Sequence, residues 1–384
     1  MLKFVKDTCT IWWQELKYIL FDKGMILFIS VLPLAYPILY SWIYNNEVVR
    51  DVPVVVIDND NSSLSRKFIR MYDASPNVAV KYHATNLNDA QQVIGHQQAF
   101  GIIYIPSDFS TRINRMEQAT VSVYCDMSLM LAYKNIYQTA TSVSGLMGAG
   151  IQTKLLQNYT HEEDVIAAQP LAYEEVPIFN TTGGYGNFIL PGVLILILQQ
   201  TLLLGMGMTS GTLREKYGRI ILRDPRYNSL GPVITGKWLA YMLQYLFLSA
   251  YILLIIPQVF GFVNIIYAKD LLMFIVPYLM SCIFFAMTTM SVIRQREDVM
   301  LIVVFTSVPL LFAAGVSWPE SSIPAVWRYL ACLFPSTFGI KGFVAMNSMG
   351  ARIDDIAPYI YALWGQTAFY LLTTILIYRN QLKK

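Results

Sequence analysis

Long apolar runs without charged residues alternate with polar stretches along the chain. The first run, residues 25–44, is long enough at about 1.5 Å per residue to cross about 30 Å of hydrocarbon as a helix, bent by Pro33 and Pro37. Five further runs of this kind are Phe188–Ser210, Trp238–Phe260, Leu271–Ile293, Val299–Ser317 and Ile356–Tyr378. The pattern predicts an α-helical polytopic membrane protein with six transmembrane helices, five of them within residues 187–384.

Residues 1–24 precede the first run and have a helical period of their own. One stripe holds Val5, Cys9, Trp12, Leu16 and Ile19. The opposite stripe holds Lys3, Lys6, Thr10, Gln14 and Lys17. This amphipathic pattern predicts an N-terminal helix lying in the membrane interface, with a helix packed on a partner as the alternative.

Residues 45–186 alternate short strand-like and helix-like segments. The strand-like runs, rich in β-branched and aromatic residues, are Val52–Ile57, Val78–Tyr82, Phe100–Ile105 and Thr120–Tyr124. The helical segments are Ser63–Tyr72, Leu87–Gln97, Asp108–Met116 and Leu129–Asn158, and residues 160–182 are expected to form a strand and a linker. The sequence predicts an α/β domain inserted between the first two transmembrane helices.

Residues 318–347 fit neither pattern. The apolar stretch Val326–Phe338 is short and is interrupted by proline, with Pro324 just before it and Pro335 near its end. We expect a hairpin or re-entrant helix that dips into the membrane from its outer face, a shape allowed where protein or a watery cavity covers the backbone.

Charge is divided unevenly, although the net charge is only +3. Residues 45–186 hold 9 of the 28 Lys and Arg residues and 14 of the 25 Asp and Glu residues, so they carry −5 and the remainder +8. Six spans would place the basic segment 211–237, the loop at Arg294 and Arg296, and both termini on one side. The positive-inside rule makes that side cytoplasmic and residues 45–186 extracytoplasmic.

Composition argues against several classes of function. The chain is 55% hydrophobic and 14% charged, against about 45–50% and about 25% in soluble domains, which excludes a purely soluble enzyme. No aromatic-interleaved basic patch is present, which argues against nucleic acid as a partner. The four cysteines and three histidines are scattered without metal-ligand spacing, so no metal site is predicted.

Two short motifs resemble ligand sites but lack residues that those sites require. Gly231–Lys237 has the spacing of a phosphate-binding loop, but Trp238 stands where a Ser or Thr should reach Mg²⁺. Asp58–Ser62 resembles the start of a calcium loop, but the sixth position is Ser63 instead of Gly and the twelfth is Ile69 instead of Glu. We therefore expect no cofactor on this chain, and we expect the residues after Asp58 to cap a helix.

The six predicted spans contain no Asp, Glu, Lys or Arg, which argues against a proton- or ion-coupled carrier. They do contain uncharged polar residues, whose ordinary role in a membrane is hydrogen bonding between helices. A more specific alternative is that some of these residues line a path for an amphipathic substrate. The candidates for a substrate path are Gln199, Gln200, Thr201, Gln244 and Tyr245.

Four segments carry a resemblance to a known family. They are Pro53–Arg66 with the core VVVIDNDNSS; Ile105–Phe109 with the later Val121–Asp126; Pro191–Gln200 with Leu213–Gly218; and Gly315–Pro319 with Phe334–Thr337. Together they resemble the permease subunits of ABC-2-type exporters, in the branch with a large extracytoplasmic domain after the first transmembrane helix.

The resemblance implies a non-catalytic permease in a bacterial inner membrane, pairing with a second copy or a paralogue and with separate ABC ATPase subunits that hold ATP and Mg²⁺. A membrane-fusion adaptor and an outer-membrane channel are possible further partners. Transmission of ATPase closure requires a lever on the cytoplasmic face. The candidates for ATPase coupling are Trp12, Trp13, Arg214, Glu215, Lys216, Tyr217 and Arg219.

Two alternatives stay open from the residues alone. One is a secondary multidrug carrier. The other is a membrane-anchored receptor or assembly protein that acts through the external domain.

Overall fold

The computed structural model describes residues 2–156, 178–181, 183–221 and 229–383. The chain divides into two compact units, a membrane unit (Met1–Glu47 with Pro177–Lys384) and an inserted unit (Val48–Val176). The inserted unit is slightly shorter than the predicted insertion, residues 45–186. The strand and linker expected at 160–182 fall almost entirely outside the described residues, as does part of the basic segment, 222–228.

The membrane unit is built from helices. We label them α1 (Leu2–Phe21), α2 (Lys23–Ile43), α7 (Tyr185–Tyr217), α8 (Leu230–Phe260), α9 (Ala268–Val292), α10 (Asp298–Ala313), α11 (Ala325–Ala331), α12 (Pro335–Met349) and α13 (Ala357–Lys383), the intervening numbers belonging to the inserted unit. Helices α2, α7, α8, α9 and α13 are long and apolar enough to cross a membrane. Segments of π-helix at Ile26–Val31 and Tyr251–Ile255 interrupt α2 and α8.

The fifth predicted span differs from the structure. Where a helix was expected over Val299–Ser317, α10 has 16 residues and ends before Gly315, whose φ of +85° is left-handed. At about 1.5 Å per residue, α10 is about 24 Å long, shorter than the hydrocarbon layer. Helices α11 and α12 meet at an angle of 89°, the geometry of a broken span or a re-entrant loop. Five long helices, or six with this bent pair, thus lie within the described part of the chain.

The N-terminal helix α1 packs along the first half of α8. The residues it buries are Ile11, Glu15 and Ile19, whereas Val5 and Cys9 of the predicted apolar stripe are exposed. The face of α1 that packs on α8 thus includes Ile19 of the predicted apolar stripe and the charged Glu15, and the position of α1 in the membrane interface stays a prediction. Contact with α8 is close at Gly236, where an added Cβ would lie 2.8 Å from Ile11.

The inserted unit is a four-stranded sheet covered by helices. Its strands are β1 (Val52–Asp58), β2 (Val78–His83), β3 (Gly101–Ile105) and β4 (Ser122–Cys125), in the order β2-β1-β3-β4. Strands β1, β2 and β3 are parallel, and β4 runs antiparallel to β3. Its helices are α3 (Ser63–Asp73), α4 (Leu87–Gly95), α5 (Phe109–Asn114) and α6 (Met130–Leu156). Within residues 52–156, strands and helices alternate in the predicted order.

Alternation of side chains along β1 places a core on each face of the sheet. Val54 and Val56 pack with Phe68 of α3 and Ile136 of α6, whereas Val55 and Ile57 pack with Ala90 of α4. A sheet covered on both faces needs such a continuous apolar strand. The Tyr72 hydroxyl donates to the Ile136 carbonyl across the first core, and burial raises the pKa of this phenol.

The turn after β1 confirms the capping interpretation. Asp58 Oδ1 accepts the N–H groups of Asp60 and Asn61, and Asp58 Oδ2 accepts the Ser65 hydroxyl. Ser62 begins α3 with a capping box, in which its hydroxyl accepts the Ser65 N–H and the Ser65 hydroxyl accepts the Ser62 N–H. The acidic residues of this motif thus hold a turn.

Candidate coupling and transport sites

Helix α7 is the axis of the membrane unit. Of its most apolar 18-residue window, 89% is buried, against 22% for α2 and for α13. Glycines let its neighbours approach: an added Cβ at Gly205 would lie 2.1 Å from Ile29, and one at Gly211 would lie 2.9 Å from the Arg296 backbone. A displacement at the end of α7 would therefore act on several helices at once.

Arg214, near the end of α7, binds the end of α9. Its guanidinium donates to the carbonyl oxygens of Ser291 (2.8 Å), Val292 (3.1 Å) and Ile293 (2.7 Å). The first two carbonyls belong to the last turn of α9 and the third to the residue that follows it, where helix geometry leaves acceptors without partners. A cation there also opposes the negative end of the helix dipole.

Glu215, Arg296 and Asp22 continue this contact. Glu215 Oε1 accepts the Arg296 backbone N–H at 2.7 Å, and Arg296 Nη2 lies 2.6 Å from Asp22 Oδ1. Asp22 also accepts the N–H groups of Gly24 and Met25 and so begins α2. We call Asp22, Arg214, Glu215 and Arg296 the junction cluster; it joins the starts of α2 and α10 to the ends of α7 and α9.

Two effects compete at the Asp22 carboxyl. Burial raises its pKa, but the hydrogen bonds from Arg296 and Met25 and the nearby guanidinium charge lower it more. The pKa of Asp22 is therefore lowered, and the carboxylate form of the junction cluster is favoured.

The other predicted coupling residues do not belong to the junction cluster. Lys216 and Tyr217 are exposed just before Gly218, whose left-handed backbone ends α7. Trp13 of α1 is 53% exposed, with the Lys17 ammonium 5.7 Å from its ring centroid. Trp12 is half-buried beside it, and Arg219 is half-buried after the helix end. Lys216, Tyr217 and Trp13 are thus exposed side chains outside the junction cluster, and their role in ATPase coupling stays a prediction.

Sequence reasoning missed a buried ion pair. Helix α8 begins eight residues before the predicted Trp238, so Lys237 lies within the helix, and its Nζ lies 2.7 Å from Glu15 Oε1. Their side chains are only 5% and 1% exposed. The predicted span Trp238–Phe260 is itself free of charged residues, but the helix that contains it begins earlier and carries Lys237. Gly231–Lys237 is therefore helical, and the Lys237 ammonium is paired with Glu15. The segment does not have the form of a phosphate-binding loop.

Gln199, predicted to line a substrate path, makes a hydrogen bond at the break between α11 and α12. Its Oε1 accepts the Ser336 N–H at 2.7 Å in the first turn of α12. Gln366 donates to the Cys332 carbonyl, Tyr370 to the Leu333 carbonyl, and Thr337 to the Ala331 carbonyl. Broken backbone in an apolar setting requires such partners, because water is not at hand.

The remaining path candidates lie inside the bundle. Thr201 accepts the Tyr245 hydroxyl at 3.1 Å and donates to the Ile197 carbonyl, so α7 and α8 are hydrogen-bonded. Gln244 approaches the Ile29 carbonyl and the Ser30 hydroxyl at 3.4 Å. Gln200 is 7% exposed, and neither atom of its amide has a hydrogen-bond partner among the described residues. A transport role for these five residues stays a prediction.

The described residues contain no group of three or more His, Cys, Asp or Glu side chains suited to a metal ion.

Comparison with known proteins settles the family. A comparison with curated proteins gives no match. The family described as ABC-2 family transporter protein matches residues 23–376, which span both units and nearly the whole chain. Such a match implies a membrane permease of the kind that normally works with an ABC ATPase. The chain belongs to the ABC-2 transporter family.

Proposed function

We propose that this chain is the permease subunit of an ATP-driven exporter in a bacterial inner membrane. In this proposal it moves an amphipathic or hydrophobic substrate outward, together with a second copy or a paralogue, and separate ATPase subunits bind ATP and Mg²⁺. Both termini and residues 211–237 are cytoplasmic, and residues 45–186 are extracytoplasmic. The external domain is a docking site for a membrane-fusion adaptor that leads to an outer-membrane channel.

The junction cluster is the observation that supports this proposal. Four helix ends meet through four charged residues at the end of α7, and exposed Lys216 and Tyr217 come directly after Arg214 and Glu215. A partner that pulls on these exposed residues would move α7 together with α2, α9 and α10. Exposed contacts for the partner and internal contacts for transmission are therefore adjacent in the chain.

Site-directed photocrosslinking tests the proposal. We expect p-benzoylphenylalanine at position 217 to crosslink to a chain that is also labelled by 8-azido-ATP. The same probe at Tyr361, which is 73% exposed at the start of α13, is the matched control and should give no such adduct. Equal yields of the ATP-labelled adduct from both positions, or none from position 217, would contradict the coupling assignment.

Topology is tested separately in a cysteine-free background. Single cysteines at positions 216 and 89 should behave oppositely, a membrane-impermeant maleimide reaching position 89 but not 216 in spheroplasts. Labelling at 216 alone would reverse the proposed orientation.

The buried Glu15–Lys237 pair gives the secondary-carrier alternative one supporting feature, since Lys237 lies on a helix long enough to cross a membrane and ionisable residues within spans mark proton and ion relays. Efflux that persists without the ATPase and collapses with the proton gradient would favour that alternative. Efflux that follows ATPase activity would exclude it.

A further inference from the structure

A pocket of about 440 Å³ lies in the membrane unit between the start of α7, the end of α10, the second half of α12 and the start of α13. This volume is in the range of sites that hold drug-sized ligands. Its walls are mainly apolar, including Phe188, Val316, Ile340 and Val344. None of the predicted path residues lines it.

One ion pair lies in this apolar wall. Lys341 of α12 and Glu320 of the turn after α10 both line the pocket, with Nζ and Oε2 2.7 Å apart. The two partners are held differently: the Lys341 side chain is 17% exposed on a 15-residue helix, whereas the Glu320 side chain is 47% exposed in a three-residue 3₁₀ turn. Lys341 is thus the less exposed partner and lies on a regular helix, whereas the Glu320 carboxylate can be solvated by water when it leaves the pair.

We propose that the pocket binds an amphiphile with an anionic headgroup, whose head replaces Glu320 on Lys341 and whose apolar part lies against α7 and α12. A half-buried ammonium in a mainly apolar wall is stabilised by a counter-ion, and in the free protein Glu320 supplies it. An incoming carboxylate, sulfate or phosphate can exchange for it without leaving Lys341 unpaired. This deepens the proposed function, since in an exporter the occupant would be cargo near the outer ends of the helices.

Photoaffinity binding to the purified chain in phosphatidylcholine nanodiscs tests the inference. The probes are a diazirine-bearing palmitate and analogues of equal chain length with an alcohol or an ammonium head. We expect palmitate to label residues 340–349 and 314–316, with competition by unlabelled palmitate but not by the alcohol or the ammonium analogue. A diazirine-bearing phosphatidylglycerol is a further arm: preferential labelling by it would assign the site to a resident lipid and overturn the cargo assignment.

Two charge variants separate ligand binding from a structural role, because both break the same ion pair. Lys341→Gln should weaken palmitate binding by about tenfold or more, the size expected for loss of a charge-assisted hydrogen bond. Glu320→Gln removes the competing carboxylate and should tighten binding, and Lys341→Arg should retain it. If both charge-neutral variants lose binding alike, the pair is only structural and the proposal fails.

A pocket-filling variant guards against misfolding of the charge variants. Ala345→Trp leaves the ion pair in place but occupies the pocket, and it should abolish labelling at 340–349 while the chain still purifies as the parent does. Undiminished labelling in this variant would overturn the proposal. The assay contains no ATPase, so its failure would leave the permease assignment untouched, and failure of ATPase coupling would leave a positive binding result standing.

Discussion

The buried pair Glu15–Lys237 offers the most direct test of how α1 is held against α8. Glu15 lies on α1 and Lys237 on α8, and both are almost completely removed from solvent. We consider three variants: Glu15→Gln, Lys237→Met and the double variant. In each single variant one buried charge loses its counter-ion, whereas the double variant leaves none.

The magnitudes follow from burial and separation. At 2.7 Å and an effective dielectric constant of about 20, the attraction is about 6 kcal/mol, and desolvation of two ions consumes most of it. Removing one partner should therefore cost about 3–5 kcal/mol, and removing both should cost much less. An orphaned group can neutralise itself instead: at pH 7 this costs about 4 kcal/mol for a glutamate and about 5 kcal/mol for a lysine of ordinary pKa. These values limit the single penalties.

Neutralisation also predicts opposite pH dependences. The orphaned carboxyl of Lys237→Met is protonated more easily at low pH, so its penalty should fall by about 1.4 kcal/mol per unit as the pH is lowered from 7 towards 5. The orphaned ammonium of Glu15→Gln loses its proton more easily at high pH, so its penalty should fall as the pH rises from 7 towards 9.

Equilibrium unfolding by SDS in mixed micelles measures these free energies. The double variant is its own control for packing, because it changes both positions without leaving a charge. A double variant as unstable as the sum of the singles would show that the two charges do not interact. Parallel pH dependences in the two singles would refute the reasoning about orphaned charges.

Three further predictions concern other contacts. Arg214→Gln should lower the unfolding free energy by about 1.5–3 kcal/mol in the same SDS assay, because three carbonyls at the end of α9 lose a charged donor, and a stability equal to the parent's would contradict this. Gln199→Leu should lower the abundance of folded protein, measured by fluorescence-detected size exclusion, because the Ser336 N–H loses its acceptor; Gln200→Leu, the matched neighbour, should not, and equal losses would refute the distinction. In the inserted unit, burial raises the pKa of Asp60, but hydrogen bonds from Ser62 and Ser110 lower it more. The stability that the Asp60 carboxylate contributes is therefore present above the ordinary pKa of 3.8 and is lost as the pH falls through the lower folded pKa. Asp60→Asn should remove this acid-sensitive part of the unfolding free energy, measured by denaturation from pH 7 to pH 2.5, and an unchanged pH profile would count against it.

Secondary structure followed from the sequence where one pattern decided it. The strands of the inserted unit stand out because β1 must be apolar on both faces, and the cap at Ser62 follows from the residue types that accept free N–H groups. Helix ends in the membrane unit were less predictable. Helix α8 extends back to Leu230, and its Lys237 is buried against Glu15 from a distant part of the chain, a partner that no local pattern reveals.

The polar residues show a second limit of sequence reasoning. Gln199 and Gln200 are adjacent and chemically identical, yet one amide accepts a backbone N–H and the other has no partner among the described residues. The difference arises because the break between α11 and α12 lies beside only one of them. A glutamine in an apolar run therefore indicates that a partner is needed, without distinguishing a substrate from a neighbouring helix.

Arg214 and Glu215 bear on how the proposed coupling to an ATPase would be transmitted to the helices. An exposed pair at the end of a helix would be worth about 1 kcal/mol or less to a partner, too little to move a bundle. Here, however, Arg214 holds the last carbonyls of α9 and Glu215 holds the backbone before α10, so these side chains act on helix ends inside the same chain. Force applied at Lys216 or Tyr217 would then be transmitted by α7 itself, whose close contacts at Gly205 and Gly211 leave little room for independent motion. Substitutions at Arg214 should therefore alter stability as well as coupling, whereas those at Lys216 and Tyr217 should alter coupling alone, and comparing the two readouts separates transmission from docking.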